Sequence, residues 1–198
     1  SGAPIISDEE YDFIFISELK KRLPNYPFIH KVEAEDEGFS DEKIKLPKKM
    51  LSTDKAYTWG EIEKWLERIS KFSEEINLQL SKIQIKGTAK LDGFAGYDDG
   101  EKLYTRGDGN KGSDISRVFQ RGLGILNDSE RGQGPGEIVV KRSYFEDHLS
   151  NDFEYPRNFK ASLIKEKELD KFARDAIDAK AALFVPFKQL PFWKGNID

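Results

Sequence analysis

Lys90, followed by Leu91, Asp92 and Gly93, is the side chain in this sequence best suited to covalent chemistry. Cysteine is absent, so thiolate catalysis and Cys-type zinc sites are excluded within the chain, and His30 with His148 are too few imidazoles for a convincing His-ligated metal cluster or histidine-centred hydrolase. A covalent intermediate must then form on a lysine, a hydroxyl or a carboxylate. Alternation over Ile83–Asp92 predicts a strand with Lys86, Thr88, Lys90 and Asp92 on one face and Ile85, Gly87, Ala89 and Leu91 turned into a core. On such a strand a neighbouring cation and partial desolvation would lower the ammonium pKa and make Lys90 a nucleophile. Asp92 would orient it or help to position a metal ion. Lys-x-Asp-Gly is short enough to occur by accident, and it equally describes an exposed strand lysine beside an Asp-Gly turn.

The elements that must carry these residues are legible in part. Ser7-Asp8-Glu9-Glu10 reads as a capping box, with Tyr11, Ile14, Phe15 and Leu19 at helical spacing behind it and Pro24 as the stop. Charged, Gly/Pro-interrupted sequence over Glu33–Lys49 reads as a linker. A second capping box, Thr58-Trp59-Gly60-Glu61, opens an amphipathic helix whose apolar stripe, Ile62, Trp65, Leu66, Ile69 and Phe72, is expected to be core. Phe94–Tyr97, Asp98-Asp99-Gly100 and Lys102–Thr105 predict a hairpin. Ser113-Asp114 is expected to cap a helix carrying Ile115, Val118, Phe119 and Leu123. Strands over Gly136–Val140 and Ala181–Phe187 and a helix over Glu166–Ala176 follow. The pattern is α+β, a small helical unit ahead of a larger mixed domain.

Composition narrows the partners. A net charge of -4 argues against autonomous tight binding to duplex nucleic acid, which needs a surplus of Lys and Arg. Local basic pairs remain at Lys82 with Lys86, Arg117 with Arg121 and Lys160 with Lys165, each of which also reads as solvated surface charge. Hydrophobic residues at 37% and charged residues at 34% are the balance of a globular protein. No apolar stretch is long enough to span a bilayer and no leader opens the chain, so a cytoplasmic protein without a membrane partner is expected.

Taken in order, Lys90-Leu91-Asp92-Gly93, Thr105-Arg106-Gly107-Asp108-Gly109, Gly136-Glu137-Ile138-Val139 and Tyr155-Pro156-Arg157-Asn158 resemble the motif set of the NAD-dependent DNA ligases. Upstream, Ser7-Asp8-Glu9-Glu10-Tyr11-Asp12 resembles that family's nicotinamide-side helical segment, and Met50-Leu51-Ser52-Thr53-Asp54 the stretch leading into its adenylation domain. The resemblance implies a nucleotidyltransferase-type α+β fold of mixed, largely antiparallel sheets with flanking helices. Residues 1–49 would form the nicotinamide-side segment and linker, and residues 50–198 part of the adenylation domain. It also implies NAD and Mg2+ as cofactors, no protein-held metal residue that can be named, and a lysyl-AMP intermediate on Lys90 for sealing nicks in duplex DNA. Asp92 and Gly93 would shape the pocket, Arg106 and Glu137 hold the ribose, Arg157 face phosphate, and Ser52 and Thr53 lie near the nucleotide. Asp8, Tyr11 and Asp12 would contact the nicotinamide half. Thr88, with Ala89 beside Lys90, stands where the family carries a glutamate that reads the exocyclic amine of adenine. Asp108, between two glycines, is assigned to the turn and not to the site.

Later lysine motifs of the family and its OB-fold, zinc-finger, helix-hairpin-helix and BRCT parts are not among these 198 residues. The expectation is a truncated piece, a short homologue or half of a split ligase, reaching DNA through missing domains or a second ligase polypeptide. Two alternatives stand beside it: a catalytically impaired nucleotide- or partner-binding scaffold, and an ATP- or GTP-dependent nucleotidyltransferase.

Overall fold

In a computed structural model of the chain, residues 5–7, 10–30, 43–51, 53–165 and 168–192 are described, the side chains of His30, Arg157, Lys160 and Ala161 excepted. A five-stranded sheet in the order β3-β2-β6-β7-β5 organises the larger part. Its strands are β2 (Phe94–Asp98), β3 (Leu103–Thr105), β5 (Gly124–Ile125), β6 (Gly134–Val140) and β7 (Ala182–Pro186). All pairs are antiparallel except β5 with β7. A separate antiparallel pair joins β1 (Ile44–Lys45) to β4 (Lys111–Gly112). The mixed, largely antiparallel α+β architecture is the one the sequence predicts.

Register gives the sheet two distinct faces. Phe94, Ile138 and Phe184 lie in one row across β2, β6 and β7. Ile138 and Phe184 are fully buried there with Leu103, Ile115, Val118, Phe159 and Leu163. Helices α6 (Pro156–Ile164) and α7 (Lys171–Asp178) supply much of the covering layer. On the opposite face Ala95 and Tyr97 meet Leu46, Met50 and Tyr104 in a smaller cluster. Period-two alternation along β2 and β3 therefore divides a main core from a shallow second face.

Helix starts follow their caps. Ser7 and Glu10 bond reciprocally, Ser7 N–H to Glu10 Oε2 at 3.0 Å and Glu10 N–H to Ser7 Oγ at 3.1 Å. A π-helical turn over Tyr11–Ile16 and helix α1 (Ser17–Arg22) follow, and a single turn, α2 (Pro27–His30), comes next. The box Thr58/Glu61 forms and opens α3 (Trp59–Glu75). Of the stretch read as linker, residues 33–42 lie outside the described residues, and Ile44–Lys45 is strand. Asp170 caps α7 by accepting from the Ala173 N–H at 2.8 Å. The helix expected over Glu166–Ala176 thus starts later, and 166–167 lie outside the described residues.

Three expectations fail for tertiary reasons. The α3 stripe is not core: Trp65, Leu66 and Phe72 are exposed, Phe72 at 58%, because amphipathicity says that a face needs cover without naming the cover. The Ser113-Asp114 helix shrinks to α4 (Arg117–Gln120), since Asp114 turns to the N–H and hydroxyl of Ser116 instead of a helix terminus. Ile83–Asp92 is not a strand: no ladder forms there among the described residues, and Ile85 is 56% exposed. Both edges of β2 are already taken by β3 and β6, and the chain bends at Gly93 as it leaves them. Helix α5 (Arg142–His148) has no counterpart among the elements expected from the sequence.

Because α3 rests on little besides its own ladder, its cap should matter locally. Thr58→Ala removes the hydroxyl that accepts from the Glu61 N–H, worth about 1 kcal/mol to the helix. Faster amide exchange confined to the first turns of α3, with the main unfolding transition unmoved, is the expected outcome.

Candidate nucleotide-binding site

One row of the sheet gathers the separated motifs. Ala95 on β2 is the register partner of Glu137 on β6, and its carbonyl accepts from the Arg106 N–H at 3.1 Å. Arg106, Ala95 and Glu137 therefore stand side by side, and by alternation from Tyr104 on the smaller face. Gly93 packs against the same place: a Cβ built on it would lie 2.1 Å from Glu137 Cγ and 2.6 Å from the Ile138 carbonyl oxygen. Only a residue without a side chain allows the Lys90–Gly93 segment to come this close to β6.

The turn after β3 closes the row from another side. Asp108 Oδ1 accepts from the N–H groups of Asn110 at 2.8 Å and Lys111 at 2.7 Å. These two backbone donors, Lys111 first, hold its carboxyl below the usual range. Asp108 is thus turn chemistry, as its glycine neighbours predict. Gly109, at φ +89°, would put a Cβ 2.9 Å from the Met50 carbonyl oxygen, and its own carbonyl accepts from the Met50 N–H at 2.9 Å. The Met50–Asp54 stretch is consequently tied to the Arg106–Gly109 turn. Ser52 lies outside the described residues, while Thr53 beside it is exposed.

The remaining candidates are placed as follows. Lys90, Thr88 and Ala89 are exposed on the unladdered stretch before the Gly93 bend, and Asp92 is exposed next to it. The expected pairing of Lys90 with Lys86 on a strand face is corrected: Lys86 Nζ sits over the Phe192 ring, 5.1 Å from its centroid. Tyr11 is half-buried on the π-helical turn. Asp12 is engaged, accepting from the Tyr57 hydroxyl at 2.7 Å and from Lys55 Nζ. Lys55 first and Tyr57 second hold its carboxyl below the ordinary range. Asp8 lies outside the described residues, and Arg157 is placed only by its backbone near the start of α6. Arg117 and Arg121 are not an open basic pair: both guanidinium groups donate to the Lys165 carbonyl, Arg121 at 2.9 Å, at the C-terminal end of α6.

Lys55 and Tyr57 carry no site signal in the sequence. Nothing in their local spacing signals a partner more than 40 positions upstream; only the three-dimensional approach of Asp12 does. Among the described residues no group of three His, Asp or Glu could hold a metal ion. Magnesium often keeps its waters and binds through substrate phosphates instead of a protein cage. No described helix is long and apolar enough to cross a membrane.

Comparison with known proteins bears on the same motifs. A family model described as the NAD-dependent DNA ligase adenylation domain matches residues 39–178. The DNA ligase of Ruthia magnifica subsp. Calyptogena magnifica is 60% identical over 197 residues, covering 100% of this chain and 32% of that protein. That of Vesicomyosocius okutanii subsp. Calyptogena okutanii is also 60% identical, over 100% of this chain and 31% of its own. The DNA ligase of Desulfotalea psychrophila is 50% identical over 196 residues, with 99% and 29% covered. The chain spans about a third of the length of the curated relatives it matches. Neither the scaffold nor the ATP- or GTP-dependent alternative is favoured by these matches. With its motif-bearing row matched by a family model over most of its length and by ligases at half identity or better, the chain belongs to the NAD-dependent DNA ligase adenylation-domain family.

Proposed function

We propose that this chain is the lysine-adenylating part of an NAD-dependent DNA ligase and that Lys90 is its nucleophile. The deprotonated amine attacks the adenylyl phosphorus of NAD. A P–N bond forms, the P–O bond to nicotinamide mononucleotide breaks with its electron pair going to the leaving group, and the nitrogen gives up one proton to solvent, so that AMP stays on Lys90 as a phosphoramidate. Asp92 and Gly93 shape the near wall, Arg106 and Glu137 take the ribose, and Glu137 accepts from its hydroxyls. Thr88 and Ala89 lie towards the adenine, Ser52 and Thr53 beside the nucleotide, Arg157 towards phosphate. Asp8, Tyr11 and Asp12 belong to the nicotinamide half, in residues 1–49, with the adenylation domain from residue 50 onward.

The observation that carries this reading is the packing of Gly93 on Glu137 in the row that also holds Arg106. It joins three motifs that are far apart in sequence on one face. Nicked duplex DNA as the final substrate, magnesium as the counter-charge for phosphoryl transfer, a role in repair and replication and a cytoplasmic setting belong to the same proposal. Contact with DNA is assigned to domains outside this chain or to a second ligase polypeptide, in keeping with the net charge of -4.

The test is intact-mass analysis after incubation with magnesium and either NAD or ATP. An AMP adduct from NAD and not from ATP is expected. An adduct that forms only when a polypeptide carrying the later lysine motifs is added would assign the chain to a divided enzyme. Absence of an adduct in both settings would overturn the catalytic reading.

A further inference from the structure

Asp12 has two donors on a single oxygen: Tyr57 Oη at 2.7 Å and Lys55 Nζ both reach Oδ2. The adjacent Phe13 ring lies 4.6 Å from the Tyr57 ring, centroid to centroid. The nicotinamide-side turn is therefore held at two points by residues 55 and 57. Those residues are themselves fixed. The Tyr57 N–H donates to Glu61 Oε2 at 2.8 Å within the α3 capping box, and Arg68 of α3 reaches Asp54 at 3.1 Å. Earlier in the chain, the Met50 N–H donates to the Gly109 carbonyl of the Arg106 turn at 2.9 Å.

We infer that Lys55 is a specificity-determining residue whose ammonium occupies, on Asp12, the place that the positively charged nicotinamide ring of NAD takes on binding. The inference rests on the reading proposed above, in which Asp12 meets the nicotinamide half. The oxidised ring carries a unit positive charge and the dihydronicotinamide of NADH carries none. A carboxylate already matched by an ammonium gains little from a second cation, so binding must exchange one cation for the other. Lys55 thereby damps the preference for NAD over NADH that an unengaged Asp12 would impose. Its side chain is 60% exposed, so the ion pair is of the weak, solvent-screened kind that a substrate can displace.

Calorimetric titration of the full chain with NAD and with NADH tests this, using Lys55→Met, Lys55→Gln, Asp12→Asn and the Lys55→Met/Asp12→Asn double variant. Lys55→Gln keeps a donor to Asp12 without the charge, and so guards against a loss of packing. Both Lys55 variants are expected to tighten NAD by roughly two- to fivefold, the scale of an exposed ion pair, with NADH unchanged. In the double variant that gain disappears. Equal changes for NAD and NADH, or weaker NAD binding, would show that Lys55 only props the segment and would overturn the inference alone. Wild-type chain that binds neither dinucleotide would overturn both the inference and the nicotinamide-side reading beneath it.

Discussion

Lys90→Ala is expected to abolish covalent AMP from NAD completely while leaving the melting temperature unchanged. Lys90 is exposed and stands outside every helix and strand, so its truncation removes neither core packing nor a ladder bond. The functional loss is total because no other group in the proposed row can form the P–N bond: Arg106 cannot deprotonate, and Glu137 is a carboxylate. Lys90→Arg separates the nucleophile from a mere positive charge. A guanidinium keeps the attraction for phosphate but stays protonated, so this variant is expected to bind nucleotide and form no adduct. Peptide mapping of the wild-type adduct gives the contrary outcome: AMP on Lys86 or another lysine would remove Lys90 from its role. The unladdered position is expected to slow the step. A near-attack geometry supplies much of the acceleration of such a step, and a lysine exposed outside any ladder must acquire that geometry with the substrate in place.

How much of this was readable beforehand depended on whether the determining contact was local. The hairpin from Phe94 to Thr105 was legible because Asp98-Asp99-Gly100 supplies its turn and the flanks alternate. Both capping boxes were legible because each closes within four residues. The Ile83–Asp92 segment alternates just as clearly, yet alternation does not name a pairing partner, and none of the five strands takes it as a neighbour. The same holds for α3, whose stripe announces a buried face that the described residues do not cover. At the site, the order of motifs was readable but the reason for Gly93 was not: its need comes from β6, more than 40 positions downstream. Asp12 illustrates the reverse. The family resemblance implied a ligand contact for it, and only the fold revealed Lys55 and Tyr57 already there.

Asp98→Ala should be the most destabilising single substitution at the far end of the same strand. Asp98 is fully buried; its Oδ1 accepts from Arg131 Nε at 2.8 Å and from the Gly100 N–H at 3.2 Å. Its Oδ2 accepts from the Gly132 N–H at 2.8 Å. Arg131 in turn lies over the Phe119 ring, 4.0 Å from its centroid, and its Nη2 is buried without a partner among the described residues. Alanine would leave a largely buried guanidinium and the backbone N–H groups of Gly100, Gly132 and Gln133 without their acceptor, a loss of about 3 kcal/mol or more from a total of roughly 5–15 kcal/mol. Asn retains the shape and one acceptor oxygen, so Asp98→Asn is expected to lie between the two in thermal or urea denaturation. The effect should reach the site, because Asp98 pairs with Gly134 at the start of the β2–β6 ladder that sets Ala95 opposite Glu137. Asp98→Asn chains that remain folded should therefore show weaker nucleotide binding with Lys90 untouched. Wild-type stability in Asp98→Ala would mean that the loop over residues 130–133 satisfies Arg131 by some other route and that the ladder needs no such anchor.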